Sequence, residues 1–153
     1  MANSMVKIDL HIIFHIKSTS VEMRQEDLQQ IFAYIGGILK AEGSVPITVG
    51  GVSDHIHLLE NLPKDKTISE LLRVTKAKSS KWIKTLSPYY SKFAWQDGYG
   101  AFSVSPSLID KTIDYIKNQE QHHQTKTFQE EYKAFLEAYK LPYDERYIFN
   151  RNF

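Results

Sequence analysis

The 153-residue chain has no cysteine, which excludes disulfides and any thiolate metal site. It also lacks a charged-then-apolar leader at its start, and its longest apolar runs, such as residues 12–14, fall far short of the roughly 20 residues a bilayer-spanning helix needs. A cytoplasmic protein with no membrane partner is expected. Net charge of one sign is absent as well: the total is only +1, so any nucleic-acid footprint must be sought as a local patch. Repeats and low-complexity linkers are missing. With 42% hydrophobic and 24% charged residues, the composition is that of an ordinary globular chain able to bury a core. One domain spanning 1–153 is expected, with a core over about 8–121 and a helical C-terminal extension over about 127–153.

Period-two alternation of Val6, Ile8, Leu10, Ile12, Phe14 and Ile16 predicts a first strand over residues 7–16. Leu28, Ile31, Phe32, Ile35 and Leu39 recur at three- and four-residue spacings, which predicts a helix over 25–40. Gly36 and Gly37 interrupt that stripe, and each costs about 1 kcal/mol relative to alanine, so close packing against a neighbouring backbone is the expected reason for them. Residues 45–52 and 55–60 form two β-prone runs around Ser53 and Asp54, as in a tight hairpin. Thr67 and Glu70 make a capping-box pattern ahead of a helix whose apolar stripe continues to Leu86 and stops at Pro88. A short strand over 101–105, a third helix from Pro106 to about His123 and a last helix over 127–139 follow, and residues 141–153 are aromatic-rich without periodicity. The order strand, helix, strand, strand, helix, strand predicts an α+β fold, a ferredoxin-like antiparallel sheet with helices on one face, followed by C-terminal helices.

Chemistry is concentrated in a few positions. Alternation along a strand puts His55 and His57 on one face and Ile56 and Leu58 on the other. An arbitrary H-x-H is usually just a polar sheet face. The third helix adds to it, because Tyr115, Gln119 and His122 cluster on a less apolar side than Ile109, Ile113 and Ile116. Two imidazoles and an amide oxygen suit Mg²⁺ or Mn²⁺ with positions left open for phosphate oxygens, and a tyrosine oxygen can then attack in line to give a phosphotyrosine. A phenol with an ordinary pKa of about 10 needs help to ionise, for which His122 and Lys111 are the nearby groups in sequence. His122 is also a reserve metal ligand, and His11 and His15 are read as structural. Arg73, Lys76, Lys81 and Lys84 lie opposite the apolar stripe of the second helix and form a basic ridge suited to phosphates. Trp95, Tyr99 and Phe102 are aromatics that either stack on unpaired bases or, more commonly, pack in a core.

The motif Gly50-Gly51-Val52-Ser53-Asp54 before His55-Ile56-His57, with Tyr115-Ile116-Lys117-Asn118-Gln119 on a later helix, resembles the single-tyrosine HUH transposases of the smallest bacterial insertion sequences. The likeness runs from about Ile8 to Gln121 and includes residues 75–81 and 93–99. It implies a metal bound by His55, His57 and Gln119, with Tyr115 as the nucleophile that retains the 5′ phosphate and frees a 3′ hydroxyl. It also implies homodimers with continuous sheets, active sites that combine one subunit's histidines with the other's tyrosine helix, and imperfect hairpins of single-stranded DNA as substrates. The tail after Gln121 looks more like the repeat-associated branch, so both mobilisation of an element and processing of genomic repeats stay open. A two-histidine phosphoesterase and a non-catalytic nucleic-acid-binding module are the rival readings; the former would need a second histidine motif paired with Ser or Thr, and none is evident.

Overall fold

The computed structural model describes residues 4–124 and 126–143; the expected end of the aromatic-rich tail, residues 144–153, lies outside them. Strand β1 (Asp9–His15) is followed by a 3-10 turn (Gln25–Asp27) leading into α1 (Leu28–Ala41), then by the hairpin of β2 (Val45–Val52) and β3 (His55–Asn61). Helix α2 (Ile68–Ile83), β4 (Gly100–Ser103), α3 (Ile109–Lys117), α4 (Gln119–His122) and α5 (Phe128–Ala138) complete the order. The four strands form one antiparallel sheet in the order β2-β3-β1-β4, the ferredoxin-like α+β arrangement expected from the element order. Among the described residues, no helix is long and apolar enough to cross a membrane.

Alternation divides the sheet into two chemically different faces. Leu10, Ile12 and Phe14 of β1 and Ile56 and Leu58 of β3 point to one side, where Leu28, Ile31, Ile35 and Leu39 of α1 and Leu71, Leu72 and Ile83 of α2 close over them. Burial of each such side chain stabilises the fold by about 1.5–3 kcal/mol, so this face is the main core. The other side has a smaller apolar cluster, Ile13 and Phe102 under Tyr132 and Leu136 of α5, and it also carries His11, His55 and His57.

Local signals account for most helix limits. The Thr67 hydroxyl accepts the Glu70 N–H at 3.1 Å, and Thr127 caps α5 through a full capping box with Glu130. Helix α2 ends at Ile83, short of Pro88, because its last turn tightens through Thr85 N–H to Trp82 O and Leu86 N–H to Ile83 O. Pro88 instead opens a 3-10 turn. The single third helix expected from Pro106 to His123 is in fact a 3-10 turn (Pro106–Leu108), α3 and α4, separated at Asn118, whose φ of −101° and ψ of 23° leave the helical region. Gly36 and Gly37 do not mark a close approach: a Cβ would meet Val49 at an ordinary 3.9 Å at the first and nothing within 4 Å at the second.

The close approach is on β2. A Cβ at Gly50 would lie 2.7 Å from Ile116 Cγ2 and 2.9 Å from the Ile116 carbonyl, so α3 rests directly on the strand backbone. At Gly51, φ of +149° places a hypothetical Cβ 2.2 Å from His55 O, which reserves the residue for glycine at the start of the turn into β3. Gly50→Ala is therefore expected to lower stability by about 1–3 kcal/mol through overpacking against α3, measured by chemical denaturation. A native-like midpoint would show that α3 can shift away at no cost.

Candidate metal and tyrosine site

The site is built on the second sheet face. His57 lies opposite Gly50 of β2 and Ile13 of β1, and His55 opposite Val52 and His15. Both imidazoles are fully buried, because α3, α4 and α5 cover what an isolated hairpin would leave wet. Each ring has its Nδ1 held from behind. Asp54 Oδ1 lies 2.7 Å from His55 Nδ1, and His11 Nε2 lies 2.7 Å from His57 Nδ1. The two Nε2 atoms are thereby turned to the same point, and Glu131 Oε1 of α5 stands 3.4 Å from that of His55 and 3.1 Å from that of His57.

The helices deliver the remaining groups. Gln119, the first residue of α4, sets its Oε1 3.2 Å from His55 Nε2 and donates its amide to Glu131 Oε2 at 3.1 Å. Tyr115 donates its hydroxyl to the same Oε2. His123 Nε2 lies 3.1 Å from Gln119 Oε1 and 3.3 Å from Glu131 Oε1. One carboxylate thus touches three imidazoles, an amide and the phenol.

Charge follows from that geometry. Burial by itself would raise the Glu131 pKa, but hydrogen bonds from His55, His57 and Tyr115 together hold it well below the usual carboxylate range. Burial opposes a charge on His55, yet the hydrogen bonds and charges of Asp54 and Glu131 outweigh it and raise its pKa to about 9. His57 and His11 go the other way, to about 4 and about 3, through burial and neighbouring positive charge. Burial and the adjacent Glu131 charge push the Tyr115 phenol well above its ordinary value, so in this arrangement it is a protonated donor. His55, His57 and Glu131 offer ligand atoms within 4.8 Å of one another and can hold a metal ion. Two imidazoles with a carboxylate are a donor set suited to a divalent cation, which on binding would displace the proton that His55 holds here, and the outer contacts from Asp54 and His11 orient the ligands as metal-site partners do.

Four residues singled out in the sequence, His55, His57, Tyr115 and Gln119, therefore meet within one chain. Of the two adjacent histidines it is His123, and not the expected reserve ligand His122, that approaches Gln119 and Glu131. The break at Asn118 and the four-residue spacing from Gln119 aim His123 at the site, whereas the His122 ring lies 4.6 Å from the Tyr115 ring. Lys111 is exposed, and the described partner of the phenolic hydroxyl is Glu131. Trp95 and Phe102 are core residues: Trp95 packs on Phe14 and Phe93 and donates to Ser79 Oγ at 3.0 Å, and Phe102 stacks on Phe135. Tyr99 remains partly exposed, its hydroxyl 3.0 Å from Ser69. Glu131 was missed in the sequence because the pair Glu130-Glu131 reads as a solvated helix surface. The available signal was its position on the Phe128, Tyr132, Phe135 face, where a charge must have a buried partner.

The basic ridge lies elsewhere. Arg73 and Lys81 on α2 and Lys84 at its C-cap are exposed, α2 covers the sheet face opposite the histidines, and Lys76 Nζ is committed to Gln96 O at 2.6 Å and Gly98 O at 2.8 Å.

The His11 contact gives a direct expectation. His11→Ala should weaken Mn²⁺ binding by about 10–100-fold in titration calorimetry, because His57 loses the group that fixes its ring. Unchanged affinity would show that burial alone orients His57.

Comparison with known proteins yields a family. The model of the IS200-like transposases matches residues 4–119. Two solved structures share the fold. One, described as a transposase from Deinococcus radiodurans R1, has 18% identity and a TM-score of 0.60, covering 78% of this chain and 95% of that one. The other, a REP-associated tyrosine transposase bound to a REP hairpin, has 15% identity and a TM-score of 0.59, covering 80% of this chain and 73% of that one. No curated protein matches. With the family model spanning most of the chain, including His55, His57, Tyr115 and Gln119, the chain belongs to the IS200-like transposase family.

Proposed function

We propose that this transposase is a divalent-metal-dependent single-strand DNA endonuclease and strand-transferase with Tyr115 as its nucleophile. The observation that carries the reading is the convergence of the His55 and His57 Nε2 atoms, the Gln119 amide and the Tyr115 hydroxyl on a single buried point beside Glu131. Mg²⁺ or Mn²⁺ held by His55, His57 and Gln119, with Glu131 completing the set, would supply the positive charge that polarises a phosphate. The phenolic oxygen of Tyr115 forms a bond to phosphorus, and the bond to the 3′ oxygen breaks, leaving a 5′-phosphotyrosine and a 3′ hydroxyl. At the start of that step the proton is on the phenol, which donates to Glu131 Oε2; it passes to that carboxylate as the bond to phosphorus forms, and the released 3′ oxygen takes up a proton from solvent to become the hydroxyl. Because burial and the Glu131 charge disfavour the phenolate, the chemistry depends on a cation at the site to offset them.

The substrate in this reading is single-stranded DNA carrying a hairpin, whether the end of a mobile element or a genomic repeat, and the setting is the cytoplasm. It is supported by the family and by the hairpin seen on the REP-associated relative. A homodimer that pairs one subunit's histidines with the other's tyrosine helix, as the family likeness implies, is part of this reading, and the same four residues also lie together within one chain. On α2 and at its C-cap, Arg73, Lys81 and Lys84 are the phosphate contacts, and Lys76 serves by shaping the 96–98 loop.

Two outcomes follow. Incubated with Mn²⁺ and hairpin-bearing single strands, the native protein should give a DNA-shifted band on a denaturing gel, and Tyr115→Phe, folded and still binding Mn²⁺, should give none. Cleavage by the variant at the native rate would mean that water and not the tyrosine attacks. Lys81→Ala with Lys84→Ala should weaken DNA binding and reduce the slope of log affinity against log salt by about one to two, because each phosphate no longer neutralised by a lysine keeps its counterions. An unchanged slope would assign the ridge to solvent alone.

A further inference from the structure

Next to the metal ligands stands a side chain to which the proposed chemistry gives no task. His123 is the C-cap residue of α4, one turn beyond Gln119, and its backbone N–H closes that turn on Gln119 O at 3.0 Å. Its half-buried ring lies edge-on to His55 with the centroids 4.6 Å apart, so it meets the site at the rim. His123 Nε2 is shared between two oxygens, Gln119 Oε1 at 3.1 Å and Glu131 Oε1 at 3.3 Å.

Those partners define what the ring does. The Gln119 amide nitrogen is turned to Glu131 Oε2 at 3.1 Å and to Tyr115 O at 3.4 Å, which leaves Oε1 as the atom facing the histidines. An amide oxygen and a carboxylate oxygen only accept, so His123 Nε2 carries the hydrogen and donates to both. Gln119 needs such a partner. The break at Asn118 separates it from α3, and the last torsion of a glutamine has two broad wells that exchange oxygen for nitrogen. A donor at Oε1 favours the well that turns oxygen inward, and Oε1 keeps its other lone pair for the side where His55 Nε2 stands at 3.2 Å. His123 is also outside the group His55, His57 and Glu131 whose ligand atoms lie within 4.8 Å of one another. Resting on the metal reading with Gln119 as a ligand, we propose that His123 is a positioning residue of the metal site: its Nε2–H holds the Gln119 oxygen toward the cation, and it acts through Gln119 and not as a ligand itself.

The test is titration calorimetry of Mn²⁺ into the full chain and its variants, with circular dichroism to show that each is folded. His123→Phe keeps an aromatic ring beside His55 and removes the donor, and should weaken Mn²⁺ binding about 10–100-fold. His123→Gln, whose amide nitrogen can take the place of Nε2, should stay within about threefold of the native affinity. In a Gln119→Ala background, His123→Phe should cost less than about threefold more, because the residue it works through is already gone. Should His123→Phe not fold, His123→Ala replaces it in both comparisons. Native affinity in the donor-less variant, a loss that His123→Gln does not repair, or a loss that multiplies in full with that of Gln119→Ala overturns the proposal and leaves the metal reading standing. Native affinity in Gln119→Ala removes that residue from the ligand set and the role of His123 with it, and a native chain that binds no Mn²⁺ overturns the metal reading itself.

Discussion

Two imidazoles buried on a sheet face need a partner for each ring nitrogen, and that requirement organises this half of the molecule. An unsatisfied buried polar group costs about 1–3 kcal/mol, so four unmatched nitrogens would cost as much as a small domain's whole stability. Asp54 and His11 answer the two Nδ1 atoms from the sheet side; Gln119 and Glu131 answer the Nε2 atoms from the helices. The first pair comes from neighbouring positions on strand and turn, within the hairpin and β1. Of the second pair, Glu131 comes from α5, and Gln119 can arrive only if α3 and α4 lie low on the sheet, where the missing side chain at Gly50 lets Ile116 settle. Glycine, histidine and glutamine at separated positions thus serve one geometric end.

The two faces of the sheet show why some of this was legible in the sequence and some was not. On the α1/α2 face the rules are local and repetitive: alternation in β1 and β3, helical spacing in α1 and α2, and a capping threonine at residue 67. Those patterns locate the elements to within about three residues, and the hairpin of residues 45–61 falls where Ser53 and Asp54 place its turn. His55, His57, Tyr115 and Gln119 were visible because strand and helix periods align them. What period alone cannot reveal is a partner from a distant element. Glu131 reaches His57 across 74 positions and His11 reaches it across 46, and neither distance has a local signature. The break at Asn118 was hidden for a related reason, since the helical stripe carries through it without a proline or glycine to mark it.

A further limit of sequence reading concerns charge. Lys76 sits at a helical position that looks like surface, yet its ammonium closes on two carbonyls of the 96–98 loop, because the loop that precedes β4 folds back over α2. The ridge it was grouped with is separated from the histidines by the whole sheet. DNA contacting both would have to pass around an edge of the molecule, and hairpin DNA, with a rigid stem and a flexible single strand, is able to do that.

The family segment ends at residue 119, but the site does not. Helix α5 lies beyond it and docks through a small apolar cluster of Ile13, Phe102, Tyr132 and Leu136, a modest anchor for eleven residues. Its polar anchor inside the site is Glu131. A buried carboxylate without counter-charge would expel the helix, since the desolvation cost of an unpaired ion amounts to several kcal/mol. Here the positive charge on His55 and the donors of His57, Gln119 and Tyr115 compensate it. Docking of α5 and the charge state of the histidine pair are therefore one equilibrium seen from two ends: whatever changes the charge among the imidazoles changes how firmly the helix is held, and whatever moves the helix changes what the Tyr115 hydroxyl faces.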